Sequence, residues 1–339
     1  MKLDELDYDL PPELIAQSPL AERDQARMLV VKRRTTTLAH SRFYKLVDHL
    51  REGDLLVLND TRVLPARLYA RKESGGRVEL LFVRPVADPK GGWIALARAH
   101  HSLAVGTRLM LADGRALRVA AISPEHRPVI VSEDGAPLEE ILNKAGMLAL
   151  PHYIRREVEA ADLDDYQTVY ARIPGAIAAP TAGLHFTERV FTDLAGAGIR
   201  VARITLHIGP GTFAPVRGTS VESHSMEAEW FTIDAAAREA IEHTKRMGGR
   251  VVAVGTSSVR ALESWAITGE PEGSTGLFIF PGFRFKLVDA MITNFHMPRT
   301  TVLALVMALA GRETILQAYA EAIRRKYRFL SYGDAMLIL

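Results

Sequence analysis

The chain contains no cysteine. That absence removes disulfides, thiolate zinc sites, iron–sulfur clusters and cysteine nucleophiles together. Side-chain amides are nearly as scarce, limited to Asn59, Asn143, Asn294, Gln17, Gln25, Gln167 and Gln317. With the missing cysteine this fits a heat-adapted source and an arginine- and alanine-rich coding bias equally well. Lysine is thin too, nine residues against thirty-three arginines, and the net charge is only +2. A nucleic-acid surface therefore has to be a local arginine patch, not a global field. The longest clean apolar run, Thr300 to Gly311, falls well short of the ~20 residues a membrane span needs. Met1 to Asp9 is acidic and lacks the basic flank of a signal peptide, so neither secretion nor a membrane span is expected.

What is present is a globular composition. With 339 residues, 48% of them hydrophobic and 24% charged, the chain allows about two domains at ~150 residues each. From Ala66 to Ser132 the pattern is short and alternating: Ala66–Arg71, Arg77–Arg84, Trp93–Ala99, Arg108–Leu111, Arg115–Ile122 and Pro128–Ser132. Gly75-Gly76, Gly91-Gly92, Asp113-Gly114 and Ser123-Pro124 separate them as turns, which predicts a small antiparallel barrel or sandwich.

On both sides the texture changes to strands alternating with helices. Ser41 is expected to cap a helical stretch to Leu50, followed by strand Leu55–Leu58. Thr187 caps a helix that ends at Gly196 to Gly198, then strand Arg200–Ile208. Helix Asp234–Met247, strand Arg250–Val254, helix Ser257–Ile267 and strands Leu277–Phe280 and Leu287–Ile292 follow. Helices Thr300–Ala310 and Glu313–Tyr327 and strand Ala335–Leu339 complete the chain. The expected fold class is α/β: a larger mixed domain with a largely parallel sheet, residues 1–64 and 149–339, into which a small antiparallel β-barrel, residues 65–148, is inserted.

Polar clusters fall in loops at strand ends. Val254-Gly255-Thr256-Ser257-Ser258-Val259-Arg260 joins a buried strand to a helix, and its free N–H groups, hydroxyls and arginine make an anion cradle or an ordinary capped helix. Pro174 to Thr187 has no regular period, and long ordered loops are uncommon unless functional. Within it His185 is an acid or base candidate and Phe186 a stacking candidate, with core packing as the plainer reading. His207-Ile208-Gly209-Pro210-Gly211-Thr212-Phe213 permits close backbone approach to a ligand but is not a Gly-x-Gly-x-x-Gly loop. His224-Ser225-Met226-Glu227-Ala228-Glu229 groups carboxylates with a histidine, at a spacing that matches no zinc helix. Thr293-Asn294-Phe295-His296 precedes an apolar helix in the same way. The run Arg324-Arg325-Lys326-Tyr327-Arg328-Phe329 interleaves cations with aromatics, which suits either an RNA loop or a solvated helix face.

Six co-linear segments carry a family resemblance. Asn59-Asp60-Thr61-Arg62-Val63, Pro180 to Phe186, Gly211-Thr212-Phe213-x-Pro215-Val216, Val254 to Arg260, Thr293 to His296 and Ser331-Tyr332-Gly333-Asp334-Ala335-Met336 resemble the S-adenosylmethionine:tRNA ribosyltransferase-isomerase family of queuosine biosynthesis. The resemblance runs from Leu10-Pro11 to the C-terminus. It implies a transferase and isomerase that passes the ribosyl carbons of S-adenosylmethionine to 7-aminomethyl-7-deazaguanine at the wobble position of tRNA. Epoxyqueuosine forms, and adenine and methionine leave. It implies no metal and no cofactor, since S-adenosylmethionine is consumed as co-substrate. The expected partners are S-adenosylmethionine and the tRNA anticodon loop, with no obligate protein partner.

Such chemistry needs a base for a proton beside the sulfonium, a proton donor for adenine and an acceptor for the aminomethyl proton. Glu229, His224, His207 and His185 are the catalytic candidates. Arg260 with Thr256, Ser257 and Ser258 is expected to hold the methionine carboxylate, and Asn294 and His296 to line the same crevice. Phe186, Phe213 and Phe295 are the stacking candidates. Asp60 and Arg62 serve as hinge or site residues where the chain leaves for the barrel. The family pattern His-x-Met-His-x-Glu has its second histidine replaced here by Glu227. Two other classes stand beside this reading: an S-adenosylmethionine-dependent tRNA methyltransferase, whose glycine-rich loop is not found in the chain, and a non-catalytic RNA-binding module.

Overall fold

The computed structural model describes residues 1–213, 221 and 224–339. Its centre is strand Leu55–Asn59, whose five side chains are all buried. A strand buried on both faces belongs in the middle of a covered parallel sheet, and Leu55–Asn59 does pair in parallel with Arg200–Leu206 and Val251–Val254. Ala290–Asn294 extends the parallel set beyond Val251–Val254. Nine strands form the sheet, in the order Glu272–Thr275, Glu229–Thr232, Arg200–Leu206, Leu55–Asn59, Val251–Val254, Ala290–Asn294, Ala335–Ile338, Arg27–Lys32 and Thr37–Arg42. Toward both edges the pairing turns antiparallel, apart from the parallel contact of Arg27–Lys32 with Ala335–Ile338.

Alternate side chains of the central strand feed two cores. Leu55 and Val57 pack with Ile241, Val259, Leu262 and Leu303 from helices on one face. Leu56 and Leu58 pack with Phe43, Leu46, Val190 and Leu194 on the other. Helices thus cover both faces. Among the described residues no single helix is long and apolar enough to cross a membrane.

The barrel closes from six strands, Arg67–Lys72, Arg77–Pro85, Trp93–Ala99, Arg108–Met110, Ala116–Ile122 and Pro128–Ser132. Strand Arg77–Pro85 alternates buried and open positions, with Val78, Leu80 and Phe82 inside. Helix Leu138–Ala145 adds Leu138, Ile141 and Leu142 to the same interior. The segments that enter and leave the barrel are tied together: Arg67 and Met147 exchange N–H···O bonds of 3.0 and 2.8 Å. At this crossing a Cβ on Gly146 would lie 1.9 Å from the Pro65 carbonyl oxygen, so only glycine fits.

Three local expectations are corrected. Strands Arg27–Lys32 and Thr37–Arg42 add an edge to the sheet, and Ser41 belongs to the second of them, not to a helix cap. The strand expected at Leu277–Phe280 lies earlier, at Glu272–Thr275, because the carbonyls of Thr275 and Leu277 bond Arg260. The stretch Pro174 to Thr187 is partly regular, with strand Ile173–Ala176 beside Thr61–Val63 and a 3-10 turn over Thr181–His185.

Candidate active site

The carboxyl ends of Leu55–Asn59, Arg200–Leu206, Val251–Val254 and Ala290–Asn294 point the same way, and open α/β sheets bind ligands at that end. Asn59 ties these ends together. Its Oδ1 accepts from the N–H groups of Leu206 at 3.0 Å and Thr61 at 3.2 Å. Its Nδ2 donates to the Leu206 carbonyl at 2.9 Å and to Ser257 Oγ at 3.0 Å. Asp60 is wholly buried and accepts from Thr205 Oγ1 at 2.6 Å and Arg172 Nε at 3.0 Å. It braces the strand ends and does not face the cleft as a free acid, while Arg62 points outward.

Thr61 then orients His207. The threonine hydroxyl donates to the Ile173 carbonyl at 3.5 Å and lies 2.8 Å from His207 Nδ1. A hydroxyl that donates to the carbonyl accepts from Nδ1–H, which leaves the lone pair on Nε2. Trp230 stacks on the imidazole with centroids 5.1 Å apart. Gly175, at φ +151°, approaches so closely that a Cβ would lie 2.5 Å from Nε2. Burial lowers the His207 pKa below its ordinary value, against the opposing pull of Asp60.

Glu229 sits at the start of strand Glu229–Thr232, 5% exposed. Its Oε1 accepts from the Gly209 N–H at 2.7 Å, and its Oε2 is paired with the Arg260 guanidinium. Arg260 spends its other arms on the Leu277 carbonyl at 3.0 Å and the Thr275 carbonyl at 3.1 Å. The fork expected to hold a ligand carboxylate therefore holds Glu229. Helix Thr256–Thr268 begins at Gly255 with no side-chain cap, so its first N–H groups face the crevice. Ser258 Oγ donates to the Val254 carbonyl at 2.7 Å, whereas Ser257 Oγ only accepts from Asn59 at 3.0 Å, so Thr256 and Ser257 are the hydroxyls that line the crevice.

Across the crevice stands Asn294. Its Nδ2 donates to the Leu330 carbonyl at 3.0 Å, which fixes the amide, yet its buried Oδ1 has no partner among the described residues. A buried orphan acceptor is rare and asks for a donor. His296 lines the same crevice, 2.7 Å from Thr293 Oγ1, with its pKa pushed down to about 3 by burial.

Other expected residues lie elsewhere. His185 is 4% exposed, packs on Phe43 and has its pKa lowered to about 4 by burial; it backs Asn294 at 3.4 Å and does not line the main cleft. Phe186 and Phe295 are core rings, one packed on Phe43 and Phe191, the other on Tyr319, Tyr327 and Phe329. His224 contacts the Phe278 ring edge-on at 5.5 Å. Phe213 ends a 3-10 turn from Pro210, but its side chain, like Pro215 and Val216, lies outside the described residues.

A cleft of about 730 Å³ lies between His207 and Glu229 on one side and the barrel on the other. His207, Gly209, Glu229 and Trp230 form one wall, and Val83, Trp93, Ile94 and Arg127 the other. That volume suits a small-molecule ligand. Trp93 and Trp230 line this cleft whereas Phe186 and Phe295 do not, although Trp93 is buried in the barrel core and His207 covers one face of Trp230. Trp230 adjoins Glu229 in sequence, and that adjacency was the signal available for it; nothing local marks Trp93 or Arg127. Arg127 reaches from the barrel to Glu227 in a two-pronged pair of 3.1 and 2.5 Å.

Comparison with known proteins identifies the family of the chain. Residues 3–338 match the family model described as queuosine biosynthesis protein. The S-adenosylmethionine:tRNA ribosyltransferase-isomerase of Geobacter sulfurreducens is 47% identical, with both chains covered in full. That of Rubrobacter xylanophilus is 48% identical over all of this chain and 98% of its own. The crystal structure of the S-adenosylmethionine tRNA ribosyltransferase from Thermotoga maritima superposes with a TM-score of 0.57 at 34% identity, covering 99% of this chain and 100% of that one. Matched along its whole length, the chain belongs to the queuosine biosynthesis family of S-adenosylmethionine:tRNA ribosyltransferase-isomerases.

Proposed function

We propose that the cleft transfers and isomerises the ribosyl moiety of S-adenosylmethionine onto 7-aminomethyl-7-deazaguanine at the wobble position of tRNA, releasing adenine and methionine. The observation that carries this reading is one constellation: the Glu229 carboxylate braced by Arg260 and Gly209, beside the His207 imidazole braced by Thr61. The sulfonium acidifies hydrogens on its neighbouring carbon, so a carboxylate base is needed there; Glu229 fills that role. His207, neutral and with Nε2 unprotonated, takes the proton that the aminomethyl group must lose before it attacks. The start of helix Thr256–Thr268 with the Thr256 hydroxyl receives the methionine carboxylate, and Asn294 Oδ1 accepts from an N–H of the same ligand. Trp230, on the side away from His207, offers a face for a purine-like ring.

The same reading treats residues 65–148 as a unit inserted between 1–64 and 149–339, supported by the barrel's separate apolar core. It places the reaction in the cytoplasm, with the anticodon loop entering the cleft and S-adenosylmethionine consumed as co-substrate. The test is product analysis with tRNA bearing 7-aminomethyl-7-deazaguanine, run with and without a chelator. Adenine and methionine are expected in amounts equal to the modified nucleoside in both. Methylated tRNA with S-adenosylhomocysteine would establish a methyltransferase instead, and tRNA binding with no product would establish an RNA-binding module.

A further inference from the structure

Away from the cleft, a second hollow of about 500 Å³ opens where strand Thr37–Arg42 meets the end of helix Arg312–Arg324. Arg27, Arg42, Lys45 and Arg325 line it, and no carboxylate does. We infer that this basic hollow grips the phosphate backbone of the tRNA at a distance from the base that reacts. The proposal rests on tRNA being the substrate and adds where the rest of that substrate is held.

The hollow is a built surface, and its floor is fixed. The Arg27 guanidinium lies over the Tyr327 ring at 4.2 Å while its Nε donates to Asp334 at 3.1 Å. The Tyr327 hydroxyl lies 2.8 Å from His40 Nδ1. Glu321, behind the hollow, is neutralised from several sides: Arg324, Arg325 and His40 all bond it, and these bonds push its carboxyl down to about 2. Above this floor Arg42, Lys45 and Arg325 are exposed, joined by the exposed Arg324 and Lys326. A fixed aromatic floor under a rim of cations suits a strand of phosphates, and such contacts supply most of the sequence-independent affinity for nucleic acid.

Position along the sheet links the hollow to the site. Asn294 pairs with Ala335, Ala335 with Met28 and Met28 with Ser41, so the crevice and the hollow sit on one cross-strand row. Three interstrand steps of ~4.8 Å separate them by about 14 Å. His207 and Glu229 lie three to four strands further along the same order, so the hollow is about 30 Å from the base that reacts. The edge strand has no neighbour beyond it, so RNA can lie along this row unobstructed by the sheet.

The experiment measures the tRNA dissociation constant from 50 to 300 mM salt for wild type, Lys45→Gln, the triple Arg42→Gln/Lys45→Gln/Arg325→Gln and Arg246→Gln. Arg246 ends helix Ala235–Arg246, next to the opposite end of the sheet, and serves as the control for net charge. Lys45 makes no hydrogen bond or ion pair among the described residues that its loss would break; it only lies 6.0 Å over the Tyr44 ring. The log–log salt slope should become shallower by about one unit for Lys45→Gln and about three for the triple. At ~150 mM salt the triple should bind tRNA at least tenfold more weakly. Its affinity for S-adenosylmethionine and its rate at saturating tRNA should stay within about twofold of wild type. Unchanged slopes, or an equal change in Arg246→Gln, would overturn the proposal, as would loss of S-adenosylmethionine affinity in Lys45→Gln. Wild type that released no adenine and methionine would count against the activity, whereas the slopes score the docking surface separately.

Discussion

At the residue scale, Glu229 and Arg260 act as a pair. The arginine has three partners inside the protein, so its charge holds the Glu229 carboxylate in place across the end of a buried strand. Glu229→Gln should slow single turnover by at least ~100-fold, the lower end for general acid–base catalysis. Arg260→Lys keeps the charge but loses the planar fork, so it should reduce the single-turnover rate more than the affinity for S-adenosylmethionine. Calorimetry beside rapid-quench kinetics checks this, and a purely binding defect would return Arg260 to the ligand-clamp role expected from the sequence. His207 needs no more than its lone pair. Because burial lowers its pKa, the acidic limb of the kcat/KM profile should fall below ~6.5, with activity rising as pH rises through it. Gly175→Ala places a methyl 2.5 Å from Nε2 and forces the ring aside. A displacement near 1 Å in such a group costs on the order of 100-fold in turnover, measurable with the fold intact by circular dichroism.

At the element scale, side-chain caps mark three of the seven described α-helix starts in the way local chemistry predicts. Thr187, Asp234 and Thr300 each accept from the N–H three residues on. Asp234→Ala should therefore lower stability by about 1 kcal/mol in urea unfolding, with turnover unchanged, since that helix start lies outside both clefts. The barrel strands were legible almost to the residue, because alternation and glycine turns mark a small closed sheet. Thr37–Arg42 was not: its mostly exposed edge carries no hydrophobic period, and Ser41 resembles a cap until the strand beside it is seen. Leu277–Phe280 had a strand's composition, but Arg260 takes the carbonyl that a neighbouring strand would need.

At the scale of the whole molecule, Arg127 and Glu227 bridge the barrel to the segment that leads into strand Glu229–Thr232. Both side chains are partly exposed, so the pair is worth at most about 1 kcal/mol in stability. Glu227→Gln should thus leave single turnover within a few-fold of wild type, unlike Glu229→Gln; a variant as inactive as Glu229→Gln, with substrate binding intact, would make Glu227 the base. Acid sensitivity also belongs to the whole fold. His185 and His296 are buried neutral, with pKa values lowered to about 4 and about 3, so the unfolded chain binds protons that the folded one refuses. Their contribution to stability is intact above ~6.5 and is lost as pH falls through that range, at about 1.4 kcal/mol per pH unit for each. His185→Gln should flatten that decline between pH 6.5 and 4 in urea titrations.

The sequence by itself determined the two textures, the barrel, the capped helices and the six segments that mark the family, because periodicity, turn residues and caps act over a few neighbouring positions. It also singled out Glu229, His207, Arg260 and Asn294, since polar groups at strand ends are visible as interruptions of apolar runs. Only the tertiary structure decided what each of them touches. Thr61 meets His207 across 146 residues, and Asn59 meets Ser257 across 198. Arg260 found a carboxylate 31 residues away, and the expected stacking rings Phe186 and Phe295 turned into the core while Trp230 took the cleft. Such pairings are set by which strands lie side by side and which face a side chain meets, and no local pattern in the chain encodes either.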